Sequence, residues 1–374
     1  MKKKVLCCIL TALMIFGTVA VNAEEVKTNL YNTYSTFIDV KDNSENVITY
    51  DQVLEKVKNY SSKIKTSSAN VDLQEKKSEA YGTQYLYTSN FSTLSAMISY
   101  QQAFKSAKLS QESVEKSIEY SVLQAYIQII MSERNIELSR LSLENDKLNL
   151  AITDKSYKLG LISSEDYENA KLAYETAKIN YEKQVESLNK EYEALNTMMG
   201  VDLNIRYNFE YPAYYEKLEL PVSIDTYAKA NTTKAMSVQI KEIELDSAKE
   251  SKSNYYISAG EGMASEVYKY DTLTNNVNSA QLALRDQKDS VNTDIRNLYT
   301  KIKQNEAALD KDIKQLETMK ATLELAKTRY EMGLISQQEL KKTEYNTAAK
   351  ENSVLQSIYT HMLDVEKINN PSLF

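Results

Sequence analysis

Tyr157-Lys158-Leu159-Gly160-Leu161-Ile162-Ser163 returns as Tyr330-Glu331-Met332-Gly333-Leu334-Ile335-Ser336, 173 residues later in register. The same offset holds upstream. Val122, Ile129, Ile136, Leu143, Leu150 and Tyr157 step by seven, and so do Ile295, Ile302, Leu309, Leu316, Leu323 and Tyr330. An apolar residue every seventh position is the spacing of a coiled-coil seam. Each seam runs into a glycine, and glycine reverses a chain at no steric cost. The expectation is an all-α protein of two tandem repeats, each a long antiparallel coiled-coil helical hairpin with a Gly-Leu tip.

The segments after the tips carry their own seams. In the first repeat it is Tyr167, Tyr174, Tyr181, Leu188 and Leu195, with Ala170 and Ala177 beside it for close approach. Ser163 or Ser164 can cap this return helix, with Glu165 and Asp166 in its first turn, where carboxylates meet the positive end of the helix dipole. In the second repeat the equivalent positions are Leu340, Thr347, Val354, His361 and Ile368. Between Ala103 and Leu159 there is neither Gly nor Pro. About 55 helical residues span roughly 80 Å, a rod that needs lateral support.

Punctuation divides the rest. Residues 1–23 read as an export signal: Lys2 to Lys4, an apolar run from Val5 to Val21, and a small-residue cleavage site ending at Ala23. Cys7 and Cys8 lie inside it, so the chain that follows has no cysteine and no thiolate or disulfide chemistry. Residues 24–47 lack periodicity and read as extended. The first repeat covers 48–200, closing at Gly200. A connector at 201–223 carries Pro212 and Pro221, and the second repeat covers 224–374. Thr83–Tyr100, with Tyr85, Tyr87 and Phe91 among Ser and Thr, reads as a short β-hairpin turning at Ser89-Asn90. Tyr255–Asp271, with Gly260 and Gly262, reads as its counterpart.

Function classes fall away on composition. Loss of Lys2, Lys3 and Lys4 takes the formal charge from −7 to −10, which excludes a basic nucleic-acid footprint. With 7 Gly and 3 Pro in 374 residues the chain lacks the turns of an all-β or α/β fold. His361 is the single histidine and falls on a helical seam, so it reads as a packing residue. There is no metal-ligand cluster, phosphate loop or nucleophile motif, so neither an enzyme nor a cofactor is expected.

The doubled Tyr-x-x-Gly-Leu-Ile-Ser tip, followed by Asp166 or Glu339 and then a heptad helix, resembles the TolC-like outer-membrane efflux proteins, over nearly all of the chain after the signal. The resemblance implies an exported cell-envelope protein that forms a homotrimer, its hairpins closing a hollow α-helical tunnel for efflux or export. It implies tips that dock a periplasmic-adaptor-like (membrane fusion) protein and through it a transporter. On this reading Gly160, Leu161, Ile162, Ser163, Gly333, Leu334, Ile335 and Ser336 form the adaptor-binding tips; the other reading is that they are plain turns. Asp166 and Tyr330 are candidates for a latch across the hairpins that closes the tunnel mouth, against the simpler reading that Tyr330 continues its seam.

The departure is in the strand insertions, from which family members build a joint β-barrel. A membrane strand needs about 9–11 residues. Thr83–Tyr100 and Tyr255–Asp271 each leave room for two short strands, and Glu261, Glu266 and Lys269 interrupt the second. Either the barrel is stunted or the protein does not cross an outer membrane and stands in a wall or at a cell surface. A non-conducting coiled-coil scaffold of the envelope is the alternative to a duct.

Overall fold

A computed structural model describes residues 47–89, 91–209, 213–255 and 263–374. The signal at 1–23 and most of the extended segment lie outside the described residues. Eight helices follow one another: α1 Tyr50–Tyr60, α2 Ser62–Thr88, α3 Phe91–Lys158, α4 Ser164–Met199, α5 Ile224–Thr232, α6 Met236–Ser253, α7 Met263–Glu331 and α8 Gln337–Asn369. Two short strands, β1 Val47–Ile48 and β2 Asn208–Phe209, pair in parallel, and a 3-10 turn at Pro371–Leu373 ends the chain.

The two rods dominate. α3 has 68 residues and α7 has 69, each roughly 100 Å long at 1.5 Å per residue. Their partners lie end to end in two lanes. α2 and α4 both pack on α3; α6 and α8 lie between α3 and α7 and pack on both. The lateral order is therefore α2/α4, α3, α6/α8, α7. α7 shares no comparable packing with the α2/α4 lane, so among the described residues the helices form an open layer and not a closed bundle.

The seams are buried as their spacing requires. Val122, Ile129, Ile295, Ile302 and Leu309 are each at most 1% exposed. Leu340, Thr347, Val354, His361 and Ile368 on α8 are all buried, so the polar substitutions in that seam are accommodated inside it. His361 Nε2 lies 2.9 Å from the Glu216 carbonyl and its ring meets Tyr215 edge-on. Ion pairs stitch α7 to α8: Lys320 to Glu351 at 3.1 Å, Lys350 to Asp312 at 2.7 Å and Lys301 to Asp364 at 2.9 Å. Glu351 and Asp364 are buried, and burial of a carboxylate is costly unless a cation accompanies it.

The densest packing is a knot at mid-length. Tyr126 on α3 is fully buried, its hydroxyl donating to the Ile48 carbonyl of β1 at 3.0 Å. Its ring meets Phe209 of β2 and Tyr50 of α1 edge-on. Gly200 ends α4 with φ +69°, and an added Cβ would sit 2.3 Å from the Tyr60 ring. Only glycine fits both the left-handed backbone and that approach.

The structure corrects the expected β-hairpin at Thr83–Tyr100. α2 continues through Gly82 to Thr88, and α3 starts at Phe91. Ser89, with φ +46°, makes the turn where the sequence placed it, but it joins helices. Thr83 and Thr88 satisfy their hydroxyls on the carbonyls four residues back, and Tyr81 stacks on Tyr100 with ring centroids 4.4 Å apart. Helix packing here overrides the β preference of Thr and Tyr. Two more boundaries move. The helix expected from Thr49 to Tyr81 is interrupted at Ser61, which caps α2 by accepting from the Ile64 N–H. The helix expected from Ile224 to Asn254 is interrupted between Thr232 and Met236. The second expected hairpin falls partly on 256–262, outside the described residues; from Met263 onward that segment is helical.

Candidate functional site

Both tips are built by the same bonds. At the first, Leu161 N–H donates to the Ser156 carbonyl and Gly160 N–H to the Tyr157 carbonyl, each at 2.9 Å. At the second, Leu334 N–H donates to Arg329 and Gly333 N–H to Tyr330, each at 2.8 Å. Gly160 and Gly333 have φ +72° and +73°, the left-handed position that this closure needs. The return helices are then capped by serine. Ser163 Oγ accepts from the Asp166 N–H at 3.1 Å, and Ser336 Oγ accepts from the Glu339 N–H at 3.1 Å. So Gly160, Ser163, Gly333 and Ser336 form the turns. Leu161, 72% exposed, and Leu334, 67% exposed, stand out from them, flanked by exposed Leu159 and Met332. Ile162 lines a groove of about 390 Å³ beside the first tip, with Ile152, Ser156 and Ala170.

Asp166 is engaged within its own hairpin. Its carboxylate accepts from the Ser163 backbone N–H at 3.3 Å and from the Ser163 hydroxyl at 2.7 Å. No hydrogen bond joins it to Tyr330, which is 39% exposed near the other tip. Within one chain the two latch candidates are not brought together. Tyr167, one residue beyond Asp166, stacks on Tyr157 at 5.0 Å and clamps the first hairpin below its tip.

A second site was not singled out from the sequence. It is the pair of lateral edges of the layer. On α4, Leu172 and Ile179 are exposed, seven residues apart; Leu172 lies two positions, about 200° around the helix, from buried Ala170. On α7, exposed Leu325 lies nine positions, about 180° around, from buried Leu316. Leu172 sits about 12 Å from the tip end of α4 and Leu325 about 9 Å from the tip end of α7, so the two edges carry leucine at matched height. The signal in the sequence is a second seven-residue stripe, Leu172 and Ile179, on the side of α4 opposite Ala170 and Ala177.

A third feature is the one strongly perturbed carboxyl near the knot. Glu133 lies on α3 with Oε1 2.6 Å from the Tyr192 hydroxyl, whose oxygen is also 3.0 Å from the Tyr207 carbonyl. That hydroxyl has one proton. If it donates to the carbonyl, Glu133 must be protonated to bond Tyr192 in turn. Burial pushes Glu133 up to about 7, against the opposing effects of Tyr192 and Arg134. Among the described residues no group of His, Cys, Asp and Glu is arranged to hold a metal ion, and no helix is long and apolar enough to cross a membrane.

No protein-family model and no curated protein matches the chain. Solved structures match it in fold. It is similar to the CmeC outer membrane channel of Campylobacter jejuni at 14% identity and TM-score 0.65, over 85% of each chain. It is similar to the outer-membrane channel OprN at 13% identity and TM-score 0.65, over 85% of this chain and 89% of that one. The MtrE outer membrane channel of Neisseria gonorrhoeae in its open state matches at 13% identity and TM-score 0.59, over 85% and 87%. At such identities the likeness is one of fold: the protein has the TolC-like fold, as the doubled tip implied.

Proposed function

We propose that the protein is a duct subunit of the cell envelope. Three copies close edge to edge into a hollow α-helical tube for efflux or export. The carrying observation is the open layer: a sheet of helices with two unpacked edges, both bearing leucine at the same height. Edge α7 of one copy and edge α2/α4 of the next are different surfaces. Such head-to-tail contacts close into rings when the rotation allows. The tips, with Leu161 and Leu334 held out by rigid glycine turns, are the surfaces offered to an adaptor and, through it, a transporter. The likeness to three outer-membrane channels supports the same reading.

One observation favours a second reading. Thr83–Tyr100 is helical where a barrel-forming member would carry strands, as suits a non-conducting scaffold that retained the hairpins. Conductance of the assembled ring in a bilayer separates the two.

Assembly is tested by cross-linking. The chain from Glu24 has no cysteine, so Leu172→Cys with Leu325→Cys places one thiol on each edge. Mild oxidation is expected to produce a ladder that stops at the trimer, and each single variant is expected to give no ladder. A double variant that stays monomeric, or a single variant that cross-links as fully, rules out the head-to-tail ring.

A further inference from the structure

The far ends of the hairpins, opposite the Gly-Leu tips, differ sharply in charge. From Ala80 to Phe104 there are 25 consecutive residues without Asp, Glu, Lys, Arg or His, in a chain that is 26% charged. They include Tyr81, Tyr85, Tyr87, Phe91, Tyr100 and Phe104. The structure makes this stretch the α2–α3 turn: the last nine residues of α2, roughly 13 Å, and the first fourteen of α3, roughly 21 Å. At its summit Leu86 is 77% exposed and Tyr87 86% exposed.

An end that faced only water would not need this composition, and the opposite ends of the same helices lack it. The first tip is flanked by Asp154, Lys155, Lys158, Glu165, Asp166 and Glu168. Exposed leucine is common to both ends; absence of charge is confined to the α2–α3 end. The charges resume as a lysine-rich rim. Lys105 and Lys108 are the first on α3; on α2 the last are Lys76, Lys77 and Glu79. Lys77 Nζ lies over the Tyr100 ring at 5.6 Å and Lys108 Nζ over the Phe104 ring at 4.2 Å, so apolar stems cover the aromatic rings and the ammonium groups sit below them. Glu250 of α6, which accepts from Gln102 at 3.2 Å, is the acidic group that faces this end from the neighbouring lane. The second repeat's corresponding end carries Glu261 and Glu266 and does not share the feature.

We propose that the α2–α3 hairpin end seats in the headgroup–acyl boundary of a lipid bilayer, with Leu86 and Tyr87 inserted and the lysine rim at the phosphates. Uncharged apolar tips, tyrosine at the interface and flanking lysine are what that boundary accepts. The depth of the charge-free zone is less than the ~30 Å hydrocarbon core, so the hairpin enters one face and does not cross. The inference goes beyond the duct and does not rest on it: a single copy seats in the same way.

The chain contains no tryptophan, so Leu86→Trp and Leu161→Trp each place a lone reporter at one end of the chain from Glu24. On adding phosphatidylcholine vesicles with phosphatidylglycerol, Leu86→Trp is expected to shift to the blue and be quenched by brominated lipid, while Leu161→Trp does neither. Leu86→Glu with Tyr87→Glu is expected to lower vesicle partitioning about tenfold or more, with helical circular dichroism unchanged. No shift at Leu86→Trp overturns the proposal, as does equal quenching at Leu161→Trp. A shift that grows with protein concentration and ignores lipid also overturns it, by assigning the surface to a second copy. The cysteine ladder of the edges is unaffected by these results, so failure here and failure of the duct remain distinct.

Discussion

Tyr126→Ala is expected to destabilise the protein by about 3–5 kcal/mol, the range for deleting a buried aromatic side chain. Tyr126 is fully buried and joins four elements at once. It sits on α3, bonds the Ile48 carbonyl of β1, and packs edge-on against Phe209 of β2 and Tyr50 of α1. Truncation leaves a cavity between rods that cannot close over it, because each rod is held along its length by other contacts. It also strands the Ile48 carbonyl. Tyr126→Phe keeps the ring and removes one hydrogen bond, so its cost is expected near 1 kcal/mol. Urea unfolding followed by circular dichroism gives both values. A loss below 1 kcal/mol for the alanine variant would show that the knot does not hold the middle of the layer together.

The second large effect depends on pH. Glu133 is held up to about 7 by burial, above the ordinary carboxylate value of its unfolded form. A group with a raised folded value binds more protons folded than unfolded, so its stabilisation is complete at low pH and is lost as pH rises between about 4.5 and 7. The difference corresponds to about 3 kcal/mol. Glu119 is shifted down by its bonds to Lys116 and Lys58, once its burial is overcome, and acts in the opposite sense. Glu366, raised by burial, acts in the same sense as Glu133. The comparison that isolates Glu133 is therefore wild type against Glu133→Gln. Glutamine can donate to the Tyr192 oxygen as the protonated acid does. The variant is expected to match wild type near pH 4.5 and to exceed it by about 2–3 kcal/mol above pH 7. Parallel curves for the two proteins from pH 4.5 to 8 would place the Glu133 proton elsewhere.

The parts of this architecture that were legible from sequence are those with local causes. Gly160 and Gly333 announce left-handed turns, Ser163 and Ser336 announce caps, and the seven-residue steps announce rods; each acts within a few residues of itself. What was not legible depends on partners far along the chain. Thr83–Tyr100 has the alternation of a strand, and only the stack of Tyr81 on Tyr100 and the packing of α2 on α3 make it helix. Gly82 looks like a terminator but lies inside α2, because one exposed glycine costs a helix only about 1 kcal/mol. The β1–β2 pair joins residues 47–48 to 208–209 and leaves no mark in either segment alone. Glu133 is unremarkable in its heptad until Tyr192, 59 residues on, reaches it. The lateral edges were half visible: the Leu172 and Ile179 stripe is in the sequence, but that α7 and the α2/α4 lane lack a partner is a property of the layer.

The central claim is that this open layer closes on further copies of itself. The most direct test is the solution mass of the chain Glu24–Phe374 by light scattering, in buffer and in mild detergent. A mass of three chains, in either condition, is the predicted result. One chain in both conditions, at every concentration tested, would contradict the duct and leave two apolar edges without an occupant.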